Sequence, residues 1–63
     1  MTNEATDLEL LDLQVIIRDL KERINVVLDD GDLNRESRGW TAAALNDLAC
    51  ALDKVTWARD TNR

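Results

Sequence analysis

The sequence contains no histidine, tyrosine, phenylalanine or proline, and it has a single cysteine and two glycines. Without histidine, and with one serine and one cysteine, the chain has no recognisable pairing of a nucleophile with a base, so we expect that it is not an enzyme. One thiol, Cys50, can neither close an intrachain disulfide nor build a zinc site. We therefore expect neither a cofactor nor a metal.

Long apolar runs and basic charge are also scarce. The apolar runs, such as Val15-Ile16-Ile17 and residues 48–52, fall far short of the roughly 20 apolar residues that span a bilayer. The N-terminal segment carries acidic residues, at Glu4, Asp7 and Glu9, where a secretory signal would need cations. We expect a cytoplasmic protein (of the host cell if phage-encoded) that makes no membrane contact, and the free thiol of Cys50 suits a reducing compartment. A net charge of −5 argues against general nucleic-acid binding, which depends on cations.

Heptad periodicity is the strongest feature that is present. In the first half, apolar residues recur at alternating spacings of three and four, at Leu10, Leu13, Ile17, Leu20, Ile24 and Val27. That spacing places them on one side of an α-helix, which a strand cannot do. A capping box at Thr6 and Glu9 and a glycine stop at Gly31 predict a first helix over about residues 7–29.

The second half repeats the pattern at Leu45, Leu48, Leu52 and Val55. Thr41 is a good N-cap and predicts a second helix over about residues 41–60 after a turn over about 30–40, although Asp32 or Asn34 could cap an earlier start. Two helices of similar length with a short connection fold back on each other. We predict an all-α protein in which the whole chain, 1–63, forms a single antiparallel two-helix hairpin.

Apolar residues outside these two stripes predict self-association. They lie on adjoining sides of the helices, and in an antiparallel hairpin both groups fall at the end away from the turn. A chain of 63 residues has only a marginal core of its own. We expect a homo-oligomer, either a dimeric four-helix bundle or a higher closed oligomer. The predicted oligomer interface comprises Leu8, Leu11, Val15, Ala43, Cys50 and Trp57.

The segment NRESRGW has two interpretations. It is either a polar connection in which Trp40 folds back onto the next helix as a hydrophobic staple, with Thr41 as the cap, or a ligand site. In the second case Arg35 and Arg38 clamp an anion and Trp40 stacks on a flat ligand, which suits a cyclic nucleotide. The surrounding acidic residues leave no net positive field, which favours the first interpretation.

Residues 35–58 resemble the hairpin domain of phage anti-defence sponge proteins, which sequester cyclic nucleotide signals. The order of that family's motifs is followed at Arg35, Glu36, Ala44, Leu45, Leu48, Ala51, Trp57 and Ala58. The resemblance implies a homo-oligomer with ligand sites at subunit boundaries. The segment LDDGDLNRES is similar to the turn of the small subunit of exonuclease VII. In size and architecture the hairpin also resembles the plasmid copy-control proteins that pair two hairpins into a four-helix bundle.

The sequence therefore favours a small, non-enzymatic binding or inhibitor protein, of the kind that phages and plasmids carry. Its expected partners are itself, as a homo-oligomer, and another protein, which it would engage through its acidic surface. Two alternatives stay open. One is an anti-defence sponge that sequesters a cyclic nucleotide at Arg35, Arg38 and Trp40. The other is an accessory subunit of a larger enzyme, whose helix would cover the surplus apolar residues.

Overall fold

Two long helices account for nearly all of the fold. The computed structural model describes residues 4–62, with α1 over Glu4–Asp30 and α2 over Arg35–Thr61. The described residues contain no strand, which confirms the predicted all-α architecture of two helices. Thr6 lies inside α1, so the predicted capping box does not mark the beginning of this helix.

The turn is shorter than predicted and consists of residues 31–34. Asn34 adopts an extended conformation, and its Oδ1 accepts a hydrogen bond of 2.8 Å from the backbone N of Ser37. Asn34 is therefore the N-cap, as one of the two sequence alternatives proposed. The start at Thr41 is wrong, because this residue lies within α2 and its hydroxyl donates to the Ser37 carbonyl at 2.7 Å.

Gly31 ends α1 through a close backbone approach. Its N donates to the Val27 carbonyl oxygen at 2.8 Å, and a Cβ at this position would overlap that same oxygen. The predicted glycine stop is confirmed, although no residue in the described range 4–62 has a positive φ. One turn further back, the Leu28 carbonyl accepts a hydrogen bond of 2.6 Å from Nη1 of Arg38. This bond satisfies a terminal carbonyl of α1 from within α2.

The seam between the helices is rotated from the predicted stripe of α1. Three members of that stripe are half-buried against α2, namely Leu10, Ile17 and Ile24. The other three are 45, 37 and 45% exposed, namely Leu13, Leu20 and Val27. At each of these three positions the following residue lies in the seam against α2 instead, namely Gln14, Lys21 and Leu28. The apolar arc of α1 is wider than one seam, so periodicity alone does not determine which edge faces α2.

The seam of α2 agrees with the predicted stripe. All four of its apolar members are half-buried: Leu45, Leu48, Leu52 and Val55. Thr41, Thr56 and Arg59 lie on the same side of the helix and add polar groups to the seam. The polar groups of α2 are thus available to pair with Gln14 of α1.

Over residues 4–62 the hairpin is a single layer of two helices without an apolar interior. It measures 50 × 15 × 10 Å, and no apolar side chain within residues 4–62 is buried. Its accessible surface is 4964 Å², against about 4,100 Å² expected for a compact monomer of this mass. The excess is close to the roughly 800 Å² that each partner contributes to a standard protein interface.

Candidate interaction surfaces

A polar network joins the helices at the end away from the turn. Gln14 is 4% exposed, and its Nε2 donates to Oγ1 of Thr56 at 2.7 Å. The Thr56 hydroxyl donates onward to the Leu52 carbonyl at 2.8 Å. Arg59 donates from Nη1 to Oε1 of Gln14 at 3.4 Å and forms a 3.3 Å ion pair with Asp7. We expect this part-buried network to favour one axial register of the two helices, because a slip would leave its members unpaired.

The Gln14–Thr56 hydrogen bond also distinguishes the two broad faces of the hairpin. The two side chains meet on one side of the seam. Leu13 directly precedes Gln14 and Val55 directly precedes Thr56, and each is turned about 100° around its helix from that neighbour. Leu13 and Val55 therefore lie on the side of the seam opposite the Gln14–Thr56 hydrogen bond. Residues three, four or seven positions away share that side. We call this surface the Leu13 face, and it comprises Leu13, Ile16, Leu20, Val27, Trp40, Ala44, Ala51, Val55 and Ala58.

The Leu13 face includes an open groove close to the turn. The groove has a volume of about 490 Å³, and its walls come mainly from α1. Its lining residues are Leu20, Arg23, Ile24, Val26, Val27 and Thr41. Arg23 is the one charged residue of this lining, so the groove suits an apolar side chain better than a phosphate group.

The predicted interface residues are all exposed, but they do not form one surface. They fall into two groups: Leu8, Leu11 and Val15 of α1, and Ala43, Cys50 and Trp57 of α2. Each member of the α2 group lies midway between two seam residues that are four positions apart, so it faces directly away from α1. The α1 group lies on the Gln14 side and the outer side of its own helix. One partner helix can contact only one group, and the interface stays a prediction.

The residues of the predicted anion site are also separated. Arg35 and Arg38 lie in the first turn of α2, and Arg38 is hydrogen-bonded to the Leu28 carbonyl. Trp40 is 73% exposed and belongs to the Leu13 face, whereas Arg38 lies nearly opposite it around the helix. The three side chains therefore do not converge within one hairpin. The staple interpretation is wrong, because Trp40 lies inside α2 and remains exposed.

Substitution of Arg38 tests whether this residue has a structural or a ligand-binding role. We expect Arg38→Ala to lower the free energy of unfolding by about 1 kcal/mol, because the Leu28 carbonyl loses its donor. Arg35→Ala is the matched control and should change it by less than about 0.5 kcal/mol. In a Trp57→Phe background, cyclic dinucleotides should leave Trp40 fluorescence unchanged. Quenching that both alanine variants abolish would instead support the sponge alternative.

Other functional groups are isolated in the described range. Among residues 4–62, no three His, Cys, Asp or Glu side chains come together as a possible metal site. Cys50 is a free and exposed thiol. Neither helix, as far as residues 4–62 show, combines the length and the apolar character needed to cross a membrane. No protein-family model, curated protein or solved structure matches the chain significantly.

Proposed function

We propose that the chain is a non-enzymatic binding protein that self-associates through its hairpins and acts on another protein. The observation that carries this proposal is the missing interior: within residues 4–62 the large apolar side chains are half-buried or exposed and none is buried. Domains are stabilised by apolar faces packed between two layers, and this hairpin supplies one layer. A second layer from another chain would provide the missing core.

The charge distribution supports a protein target with a basic surface. Every acidic side chain except that of Asp7 is exposed, and the net charge is −5. Complementary charge accelerates association and selects among partners. Trp57 is 62% exposed on the side of α2 that faces away from α1, a side that it shares with the small residues Ala43 and Cys50. Exposed aromatic residues of this kind are enriched at protein interfaces.

We expect self-association to appear first in the mass and the melting behaviour. Light scattering should give at least twice the 7.1 kDa mass of one chain. The melting temperature should rise with protein concentration, because mass action favours a fold that is completed between chains. A monomer mass together with concentration-independent melting would contradict the proposal.

Affinity capture with a matched variant tests the target. The parent protein and a Trp57→Glu variant of unchanged mass would be compared as baits. Loss of one captured protein from the Trp57→Glu bait supports a target that binds the outer side of α2. Capture of a single large enzyme by both baits would favour the accessory-subunit alternative, and recovery of a nucleotide alone would favour the sponge alternative.

A further inference from the structure

The α1 part of the Leu13 face carries a pattern that is symmetric about Ile16. Five residues follow one another along this side of the helix at spacings of four, three, four and three: Glu9, Leu13, Ile16, Leu20 and Arg23. On either side of Ile16 along the helix there is first a leucine, Leu13 or Leu20, and then a charged residue, Glu9 or Arg23. The charge is acidic on one side and basic on the other, so a copy laid antiparallel on this helix would place opposite charges together.

The α2 part of the same face has a second symmetric pattern, centred on Ala51. Three alanines of the face alternate with two charged residues at its outer edge, at spacings of three, four, three and four: Ala44, Asp47, Ala51, Lys54 and Ala58. Alanine is repeated at both ends and at the centre, and the two intervening charges are opposite in sign. An antiparallel copy of α2 would again place the acidic Asp47 next to the basic Lys54 of the other chain.

The two centres lie at the same height in the hairpin. Gln14 lies beside Thr56, so Ile16, two residues further along α1, is level with residue 54 of the antiparallel α2. Asp7 lies beside Arg59, and Ile16 is nine residues further along α1, so this pair places Ile16 level with residue 50 of α2. Ala51 falls between these two values. One twofold axis can therefore pass close to Ile16 and Ala51 together.

We propose that a second copy of this chain covers the Leu13 face, related to the first by a twofold axis that crosses the helices at Ile16 and Ala51. The inference rests on the proposed self-association and specifies its surface and register. In the dimer, each helix packs antiparallel on its counterpart, and the two turns lie at opposite ends. Glu9 meets the partner's Arg23 and Asp47 meets the partner's Lys54, and symmetry makes each pair twice.

Side-chain size agrees with this arrangement. Between the two copies of α1, Leu13 falls at the level of the partner's Leu20, which lines the open groove. Between the two copies of α2, the facing residues are alanines, which allow helix axes to approach to about 8 Å. The packing of α1 on its copy covers Leu13, Ile16 and Leu20, which a single hairpin exposes, and the bundle gains the interior that one layer lacks.

Cysteine cross-linking tests the axis directly. In a Cys50→Ser background, Ile16→Cys and Ala51→Cys are each expected to give a disulfide-linked dimer on mild oxidation, because each residue lies near its own symmetry mate. Two matched controls lie on other sides of the same helices: native Cys50 and a Val15→Cys variant in the serine background. Efficient cross-linking of either control instead would overturn the choice of face. Mixed dimers between the Ile16→Cys and Ala51→Cys variants, without like pairs, would overturn the antiparallel register.

Exchanging the charges of the proposed ion pairs tests the polar edge of the dimer interface. Arg23→Glu alone should weaken the dimer about tenfold, because it turns two attractive contacts into two repulsive ones. The double variant Glu9→Arg with Arg23→Glu should recover the dimer affinity of the parent. Likewise, the double variant Asp47→Lys with Lys54→Asp should dimerise more tightly than either of its single variants. Double variants no better than the single ones would overturn the pairing. A protein that stays monomeric at every concentration would defeat the proposed self-association itself, whereas a dimer that cross-links elsewhere defeats only this surface.

Discussion

Leu20→Glu is expected to dissociate the dimer and to unfold most of the helix. In the proposed dimer, this position faces the partner's Leu13, and by symmetry the substitution buries two unpaired carboxylates. An uncompensated buried charge costs on the order of 3–5 kcal/mol, which exceeds what a single layer of two helices can supply. Light scattering should show a monomer, and circular dichroism should show a large loss of helix at the concentration where the parent is folded.

Val15→Glu is the matched control for this substitution. Val15 is 55% exposed, against 37% for Leu20, and it lies on the outer side of α1, away from the Leu13 face and its groove. In an isolated hairpin both glutamates would reach water, and both variants would unfold like the parent. In the proposed dimer only the change at Leu20 is severe. Equal masses and equal melting temperatures for the two variants would show that the Leu13 face is uncovered in solution.

The heptad spacing was sufficient to predict the hairpin but not the rotation of α1 within it. Leu10, Ile17 and Ile24 belong to the predicted stripe and to the observed seam, so either edge of the arc satisfies the periodicity. The choice depends on Gln14, whose partner Thr56 lies 42 residues away in sequence. A hydrogen bond of that range leaves no local signature, and a glutamine beside an apolar stripe is easily assigned to solvent.

The beginning of α2 was ambiguous for a related reason. Asn34 and Thr41 are both favourable caps, and Gly39 weakens the stretch between them as a helix. In the structure α2 has the earlier start: Asn34 caps it, and Arg38 in its first turn donates a hydrogen bond across the turn to the Leu28 carbonyl. The same helical turn carries Trp40 to the side opposite Arg38. The clustering of these residues in sequence therefore did not predict a cluster in space.

The sequence predicts a class of function more readily than the surface that would perform it. The expectation of a non-enzymatic protein rests on composition alone and stays a prediction. The identity of an interface depends on which apolar residues the seam leaves uncovered, and a rotation of one position exchanges Gln14 for Leu13. Predicted interface residues such as Leu11 and Cys50 are exposed but lie on different sides of the hairpin, whereas the apolar residues of the Leu13 face share one side.

Gln14→Ala is expected to lower the free energy of unfolding by about 2–3 kcal/mol. The substitution leaves a gap in the seam and removes the hydrogen bonds to Thr56 and Arg59. Gln14→Leu should behave differently, because an apolar side chain of similar size fills the same space while Thr56 keeps its bond to the Leu52 carbonyl and Arg59 keeps Asp7. The unfolding free energy should therefore stay equal or rise. The cost of Gln14→Leu should appear in specificity, since a buried polar residue can fix helix register.

NMR spectra of the backbone amides distinguish the effect of Gln14 on stability from its effect on helix register. The parent should give one set of sharp peaks, and Gln14→Leu should give broadened or doubled peaks along both helices despite an undiminished melting temperature. Lys21→Leu is the control, because Lys21 is the other polar residue at these seam positions and makes no hydrogen bond or ion pair within residues 4–62. It should stabilise the hairpin and keep a single set of peaks. If Gln14→Leu also keeps a single sharp set, apolar packing alone determines the register, and the network of Gln14, Thr56 and Arg59 contributes only stability.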